Sequence, residues 1–410
     1  MRRRLGRNPA LIVATLASLG FGAPAGAQSL VLARANVIDG IAATPLGERT
    51  VVIRDGRIVD VDGSGETSGP VIDLGGKYLL PGLIDAHVHV ASTQQVRKAL
   101  RSGITTVRSM GTSHYADVGL SELARKNIIE SPEVLAAGYH VGPHPAQALF
   151  MDEPSLTDLW SGVRGPEAFR RVTAANLERG VAWIKITVTE RAGLPNTDPR
   201  KQTMTQEEVE AVVEEATSRG VPVASHAHGD EGGRAAVLGG VRSIEHGTYL
   251  SEETLRLMAE RGTFLVPTVA VVEDLKGPGG DYDDPVLQVR GRHMLPRLIE
   301  TVRTAKRLGV KIVAATDTGF RDGSTLTLQH DIEALTKCGL SPMEAIQAAT
   351  RVSAEMLEID DRTGSIRAGL EADLIVVDKN PLDEILSLQD VLLVVNNGEV
   401  VLDRLSFGIE

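Results

Sequence analysis

The chain has 410 residues, of which 42% are hydrophobic and 3% aromatic, and a formal net charge of -11. That length suits one large barrel with an accessory domain. The negative balance, with no basic stripe and no aromatic-basic interleaving, excludes nucleic acid or an anionic membrane surface as the main partner, and a single cysteine, Cys338, excludes an internal disulfide.

Residues 1–27 read as a signal peptide. Arg2, Arg3, Arg4 and Arg7 form a positive start, Ala10 to Phe21 a short apolar run, and Ala25-Gly26-Ala27 a small-residue cleavage site. The run is too short for a membrane span, so processing leaves no stable membrane anchor and a mature chain starting at Gln28. Losing those four arginines, and no acid, takes the net charge to -15. An exported protein, periplasmic or secreted, is the expectation.

From Ser29 to Asp73, short apolar runs alternate with Asp-Gly turns at Asp39-Gly40, Asp55-Gly56 and Asp62-Gly63. This is too little chain for a separate sandwich. Matching runs lie at the far end, Ala372 to Val377 and Val391 to Val395, followed by Asn397-Gly398. Residues 28–80 and 358–410 are therefore expected to pair into one small β domain, with residues 81–357 inserted between them.

The insert alternates strand and helix signals. Expected strands are Leu79 to Val90, Gly103 to Arg108, Val134 to Ala137, Val181 to Val188, Val221 to His226, Val241 to His246, Phe264 to Thr268 and Val310 to Asp317. Helical runs over Pro166 to Arg179 and Thr205 to Arg219 stop at Gly180 and Gly220, and the second opens with a Thr-Gln-Glu-Glu capping box. Eight strands with interleaved helices indicate an α/β protein, a TIM (β/α)8 barrel carrying the small β domain. The Gly-, Pro- and Asp-rich stretch from Gly277 to Pro296 is a candidate lid or oligomer contact.

Barrel enzymes keep their chemistry at the C-terminal strand ends. There the first strand carries His87 and His89, which alternation puts on one face, opposite Ile84, Ala86 and Val88. The fourth carries Lys185, the fifth ends in His226, the sixth in His246 and the eighth in Asp317. Alternation also turns Lys185 inward with Trp183 and Thr187. An inward lysine is costly as a cation, so it either pairs with an acid, Asp85 or Asp317, or loses its proton. A neutral Lys185 can capture carbon dioxide and become an anionic carbamate able to bridge two metals.

These motifs, in order, are Ile84-Asp85-Ala86-His87-Val88-His89, Lys185, Ser225-His226-Ala227-His228-Gly229, Ser243-Ile244-Glu245-His246-Gly247, Ala315-Thr316-Asp317 and the closing Gly364 to Leu374. The pattern resembles the amidohydrolase superfamily, in the binuclear branch with a carboxylated lysine. It is similar to the imidazolonepropionase-like group that includes Xaa-Pro dipeptidases and ochratoxin-degrading amidases. The resemblance implies two divalent metal ions, with zinc suited to the ligands. His87, His89 and Asp317 would hold the more buried ion and His226 and His246 the second, bridged by Lys185 as N6-carboxylysine. It implies a water activated between the ions, with Asp317 moving its proton to the leaving amine and His228 orienting substrate. A substrate-contacting histidine is expected after the third strand, at His144 in preference to His140, although the Gly-Gly-His run of relatives is missing here. Tyr249 and Arg321 are candidate pocket residues, whereas His114, His293 and His330 are expected at the surface or in packing roles.

The expected activity is hydrolysis of an amide or peptide bond in a small molecule, by a dipeptidase-like or N-acyl-amino-acid amidase-like enzyme that works as a homo-oligomer. The alternative is hydrolysis of cyclic amides, lactones or phosphoesters at the same binuclear site. Mononuclear deaminases of the superfamily lack the bridging lysine. A scaffold that had lost catalysis would be expected to lack some of the six ligands.

Overall fold

The computed structural model describes residues 29–63 and 69–405. The expected signal peptide lies outside the described residues. From the N-terminal end come β1 (Ser29–Val37), β2 (Glu48–Arg54), β3 (Arg57–Asp60), β4 (Val71–Asp73) and β5 (Tyr78–Pro81). Next come β6 (Leu83–Val88), β7 (Ile104–Ser109), β8 (Glu133–Ala136), β9 (Ile184–Thr187), β10 (Val223–Ala227), β11 (Ser243–His246) and β12 (Phe264–Val266). Last are β13 (Leu374–Val377), β14 (Val391–Asn396) and β15 (Glu399–Asp403).

Both chain ends build one sheet in the order β15-β14-β13-β5-β1-β2-β3, with β4 alongside β1. The joint is β5 against β13, antiparallel, pairing Pro81 with Leu374 and Tyr78 with Val377. Two tight hairpins supply the local instructions. Asp55 and Gly56 have φ of 49° and 76°, and Asn397 and Gly398 have 50° and 80°. Positive φ at both central positions is the turn whose twist suits a hairpin, and Asp-Gly and Asn-Gly tolerate it best. The inner face of this sheet buries Leu32, Ile53, Leu79, Leu374 and Leu393 in a core of its own.

The strands between form the TIM barrel. β6, β7 and β8 pair in parallel, as do β9, β10, β11 and β12. Three short contacts close the ring. After β8, Val141 exchanges backbone hydrogen bonds with β9, donating to Lys185 O at 2.8 Å and accepting from Thr187 N at 3.1 Å. The expected eighth strand is an extended segment rather than a regular one. It bridges β12 at Leu265–Ile312 and β6 at Val88–Thr318, with Asp317 N donating to His87 O at 2.8 Å.

Strict alternation fails in β6. Its pairing with β7 slips between Asp85 and Val88. Ile84 and Ala86 therefore pack with Trp183, Ala224 and Val313, whereas Val88 packs with the outer core. In β9 alternation holds, since Ile184, Ile186 and Val188 join the outer core. The helices follow their caps. Gln206–Thr217 opens with a complete Thr205/Glu208 capping box. The stretch read as a lid is shorter than expected, because a helix already begins at Pro285 and runs to Leu308. Asp284 caps it, accepting from Val286 N at 2.7 Å, and the proline sits in the first turn, where its missing N–H costs nothing. Among the described residues, no helix is long and apolar enough to cross a membrane.

Leu374 is fully buried where the chain ends meet. Replacing it by Ala should lower the unfolding free energy by about 2–5 kcal/mol, read from urea denaturation, if that joint is a packed core rather than a loose tether.

Candidate metal centre

Eight of the nine predicted site residues converge at one rim of the barrel, His140 among them. His87, His89, Lys185, His226, His228, His246 and Asp317 line a chamber of about 140 Å³. Asp317 Oδ1 lies 3.2 Å from His89 Nε2 and 3.5 Å from His87 Nε2. The imidazole centroids of His226 and His246 are 4.7 Å apart, as are those of His228 and His246. His226, His228 and His246 each offer a nitrogen within 4.8 Å of the others, and His87, His246 and Asp317 form a second such group.

Two side chains reach the chamber through unusual backbone. Ser243 and Glu245 of β11 face inward, so alternation would send His246 toward the helices. A φ of 71° at His246 swings it back inside. Asp317 has a φ of 54° at the end of the eighth strand segment. Left-handed backbone at a non-glycine residue costs of order 1 kcal/mol and persists only where the surroundings enforce it.

The second ring nitrogens are occupied, which aims the first. His87 Nδ1 lies 2.8 Å from Glu245 Oε2, and His89 Nδ1 lies 2.9 Å from Gly111 O. His228 Nδ1 lies 2.9 Å from the Thr248 hydroxyl, and His246 Nδ1 lies 2.7 Å from the Thr268 hydroxyl. All four rings thus turn Nε2 to the centre, the arrangement that fixes tautomer and orientation in metal-ligating histidines. His226 is reversed, with Nε2 3.4 Å from Glu190 O.

Sequence reasoning missed the support beneath them. Glu245, fully buried, accepts from Arg108 Nη2 at 2.9 and 3.0 Å and from the Ser243 hydroxyl at 2.6 Å. Arg108, also fully buried, donates to Ala86 O at 2.6 Å and lies 4.5 Å above the Trp183 ring. The available signals were a charged residue inside each of two apolar strands, Arg108 in β7 and Glu245 beside His246. Asp85 is not the partner of Lys185. Its oxygens accept from Thr316 Oγ1 at 2.7 Å and Thr316 N at 3.1 Å.

Charge in the chamber follows from burial. Desolvation pushes His87 down to about 4 and His228 to about 3, and holds His226 and His246 well below the ordinary value, so these rings are neutral. For Asp317 burial acts upward, but the His87 and His89 rings outweigh it and the carboxyl lies well below its usual range. For Glu245 burial is likewise overcome, by Arg108 and Lys185. Burial pushes the Lys185 ammonium down to about 8 against the pull of Glu245, and Lys185 Nζ is buried with no hydrogen-bond partner among the described residues. Neutral imidazoles, an ionised carboxylate and an orphaned amine fit a divalent-metal centre of nitrogen and oxygen donors.

Both candidate substrate histidines line the outer vestibule, but only His140 also reaches the chamber. His140 lines the chamber and stacks on His89 at 5.7 Å, held there because Gly111, at φ 117°, lacks the Cβ that would strike it. His144 is exposed, and with Arg321 it lines an outer vestibule of about 1210 Å³ that shares Asp317, Arg191 and Tyr282 with the chamber. Tyr249, expected in the pocket, lines neither cavity, and its ring lies tilted 6.2 Å from that of His293. His114 lies at the vestibule rim 3.1 Å from Asp152, and His330 closes a capping box with Thr327.

Residues 78–401 match the family described as Amidohydrolase family. The chain is 26% identical to ochratoxinase from Aspergillus niger over 352 residues, 76% of this chain and 72% of that protein. It is 26% identical to imidazolonepropionase from Mesorhizobium japonicum over 392 residues, 84% of this chain and 90% of that one. The solved structure of a Xaa-Pro dipeptidase with bound methionine in the active site superposes with a TM-score of 0.79 at 29% identity, covering 91% of this chain and 99% of that one.

Glu245→Gln should leave Arg108 buried without its counter-charge and His87 without its carboxylate. Metal affinity, measured by chelator competition, is expected to fall about 10- to 100-fold. Unchanged affinity would mean that Glu245 has no part in aiming His87.

Proposed function

Since the chain belongs to the amidohydrolase family, we propose that it is a metal-dependent amidase or dipeptidase that cleaves an amide or peptide bond of a small molecule. The observation that carries this reading is the orphaned Lys185 Nζ in a chamber of neutral histidines and one carboxylate. The likeness to a solved Xaa-Pro dipeptidase supports the same bond class, and a relative named ochratoxinase supports a hydrolase of small molecules.

In this reading His87, His89 and Asp317 would hold one divalent ion and His226 and His246 a second, with zinc suited to both sets. Lys185 would complete the donor set as a carbamate. Its neutral amine would add to carbon dioxide, forming a nitrogen–carbon bond and releasing a proton, so that a carboxylate group with one negative charge shared by two oxygens replaces the amine. When bound, the ions supply Lewis-acid polarisation of the scissile carbonyl and lower the pKa of water toward neutrality. The chain's own residues do the rest. Asp317 takes a proton from the attacking water and delivers it to the leaving amine, so that the departing group leaves neutral. His228, fixed by Thr248, donates to the carbonyl oxygen, and His140 packs the acyl side against His89. The basic start at Arg2, Arg3 and Arg4 supports export, and N-terminal sequencing of the secreted protein should begin at Gln28.

Purified protein is expected to carry about two divalent ions per chain and to hydrolyse dipeptides or N-acyl amino acids. Lys185→Ala should lose both properties. Asp317→Asn should lower kcat by at least about 10²-fold, more than it lowers metal content. One ion per chain would remove the carbamate bridge, and turnover confined to cyclic amides, lactones or phosphoesters would keep the site and change the bond.

A further inference from the structure

The chamber opens to the vestibule past a loop, residues 191–197, that carries one uncommitted charge. Every acid lining the vestibule already has work. Glu190 accepts from Lys201 Nζ at 2.7 Å, Asp281 from the Ser324 hydroxyl at 2.8 Å, and Asp322 from Gln94 at 3.0 Å, while Asp317 faces the histidines. Arg191 lines both cavities, its charge acts on Lys185 and His140 in the chamber, and its guanidinium has no hydrogen-bond or ion-pair partner among the described residues. In a chain of net charge -11, the mouth of this site therefore presents a free cation.

The loop that bears it is gripped from behind. Arg290, half-buried on the helix Pro285–Leu308, spreads its fork over four loop residues. Nη1 donates to Ala192 O at 2.6 Å, Leu194 O at 2.7 Å and Thr197 Oγ1 at 3.3 Å, and Nη2 to Thr197 O at 2.6 Å and Pro195 O at 3.2 Å. Thr197 Oγ1 in turn donates to Arg191 O at 2.5 Å. Across the mouth, Tyr282 packs against the loop at Gly193, where an added Cβ would meet its ring at 3.3 Å. A planar guanidinium used this way spends its donors on backbone carbonyls rather than on an acid, so its role is to fix loop shape.

Building on the amidase reading, we propose that Arg191 binds a free carboxylate on the substrate and that Arg290 is the positioning residue that holds it at the chamber mouth. The substrate class is then an acyl amino acid or dipeptide whose scissile carbonyl reaches the metal ligands while the leaving amino acid keeps its α-carboxylate at Arg191. A carboxylate can take two parallel bonds from a guanidinium, which gives direction as well as attraction. Position 191 is exposed, so substitution there does not threaten the fold.

The test compares kcat and KM of metal-loaded protein on N-acetyl-L-phenylalanine and on its carboxamide. The wild type should prefer the acid, and Arg191→Gln should cut that preference by about 10- to 100-fold, mainly through KM, with partial rescue by Arg191→Lys. Arg290→Met should move the preference in the same direction although Arg191 is intact. An acid-to-amide ratio unchanged in Arg191→Gln overturns the assignment, and a ratio unchanged only in Arg290→Met overturns the positioning role. If the wild type hydrolyses neither compound, the amidase reading is what has failed, and calorimetry with L-phenylalanine and L-phenylalaninol decides for Arg191. Tighter binding of the acid, lost in Arg191→Gln, supports it, and equal binding overturns it.

Discussion

An ammonium buried without a counter-charge is among the least tolerable groups in a protein interior, and the site is organised around one. Lys185 projects into the barrel from β9 with no hydrogen-bond partner among the described residues, and burial, aided by Arg108, brings its pKa within reach of neutral pH. The two nearby carboxylates that might have neutralised it are already engaged. Glu245 is shared by Arg108 and His87, and Asp317 faces His87 and His89. A carbamate on Lys185, as proposed, would supply negative charge there without any new side chain. The same burial keeps the His87, His226, His228 and His246 rings neutral, which is the form that ligates metal.

Beneath that chamber lies a fully buried pair, Arg108 and Glu245, that binds three barrel strands together. Such a pair gains little stability over a packed apolar alternative, because desolvation cancels most of the Coulombic attraction. Its value here is directional. Arg108 holds Glu245, and Glu245 holds the His87 ring so that Nε2 faces the centre. Thr248 and Thr268 do the same for His228 and His246 with neutral hydroxyls. The histidines are thus aimed by rigid strands and by the residues just beyond their ends, not by mobile loops.

Much of this was legible in the sequence because strands have a simple period and histidines are rare. The His-x-His pair of β6, the inward Lys185 and the hairpin turns at Asp55-Gly56 and Asn397-Gly398 follow from alternation and turn chemistry alone. What escaped depends on departures from that period. The slip in β6 sends Ile84 and Ala86 to the inner cluster, and left-handed backbone at His246 turns a side chain that simple alternation would misplace. The choice between His140 and His144 hung on Gly111, distant in sequence, whose missing Cβ makes room for the His140 ring. The Arg108–Glu245 pair was hidden for another reason. Each residue looks like an exception within its own strand, and only the closed barrel brings the two exceptions together.

The two cavities divide the labour along the same lines. The small inner chamber is walled by strand ends and holds every group proposed for bond cleavage, so its geometry is tied to the barrel core. The larger vestibule is walled by segments between strands, including residues 191–197 and the stretch before Pro285. Those segments can change without disturbing β6, β9, β10 or β11, provided something other than the core fixes their shape. Arg290 meets that condition by holding its loop through backbone carbonyls, which any sequence in the loop would present. Apart from the Thr197 hydroxyl, which Arg290 also reaches at 3.3 Å, the clamp does not depend on the loop's side chains, so the side chain at position 191 can differ while the chemistry below stays unchanged.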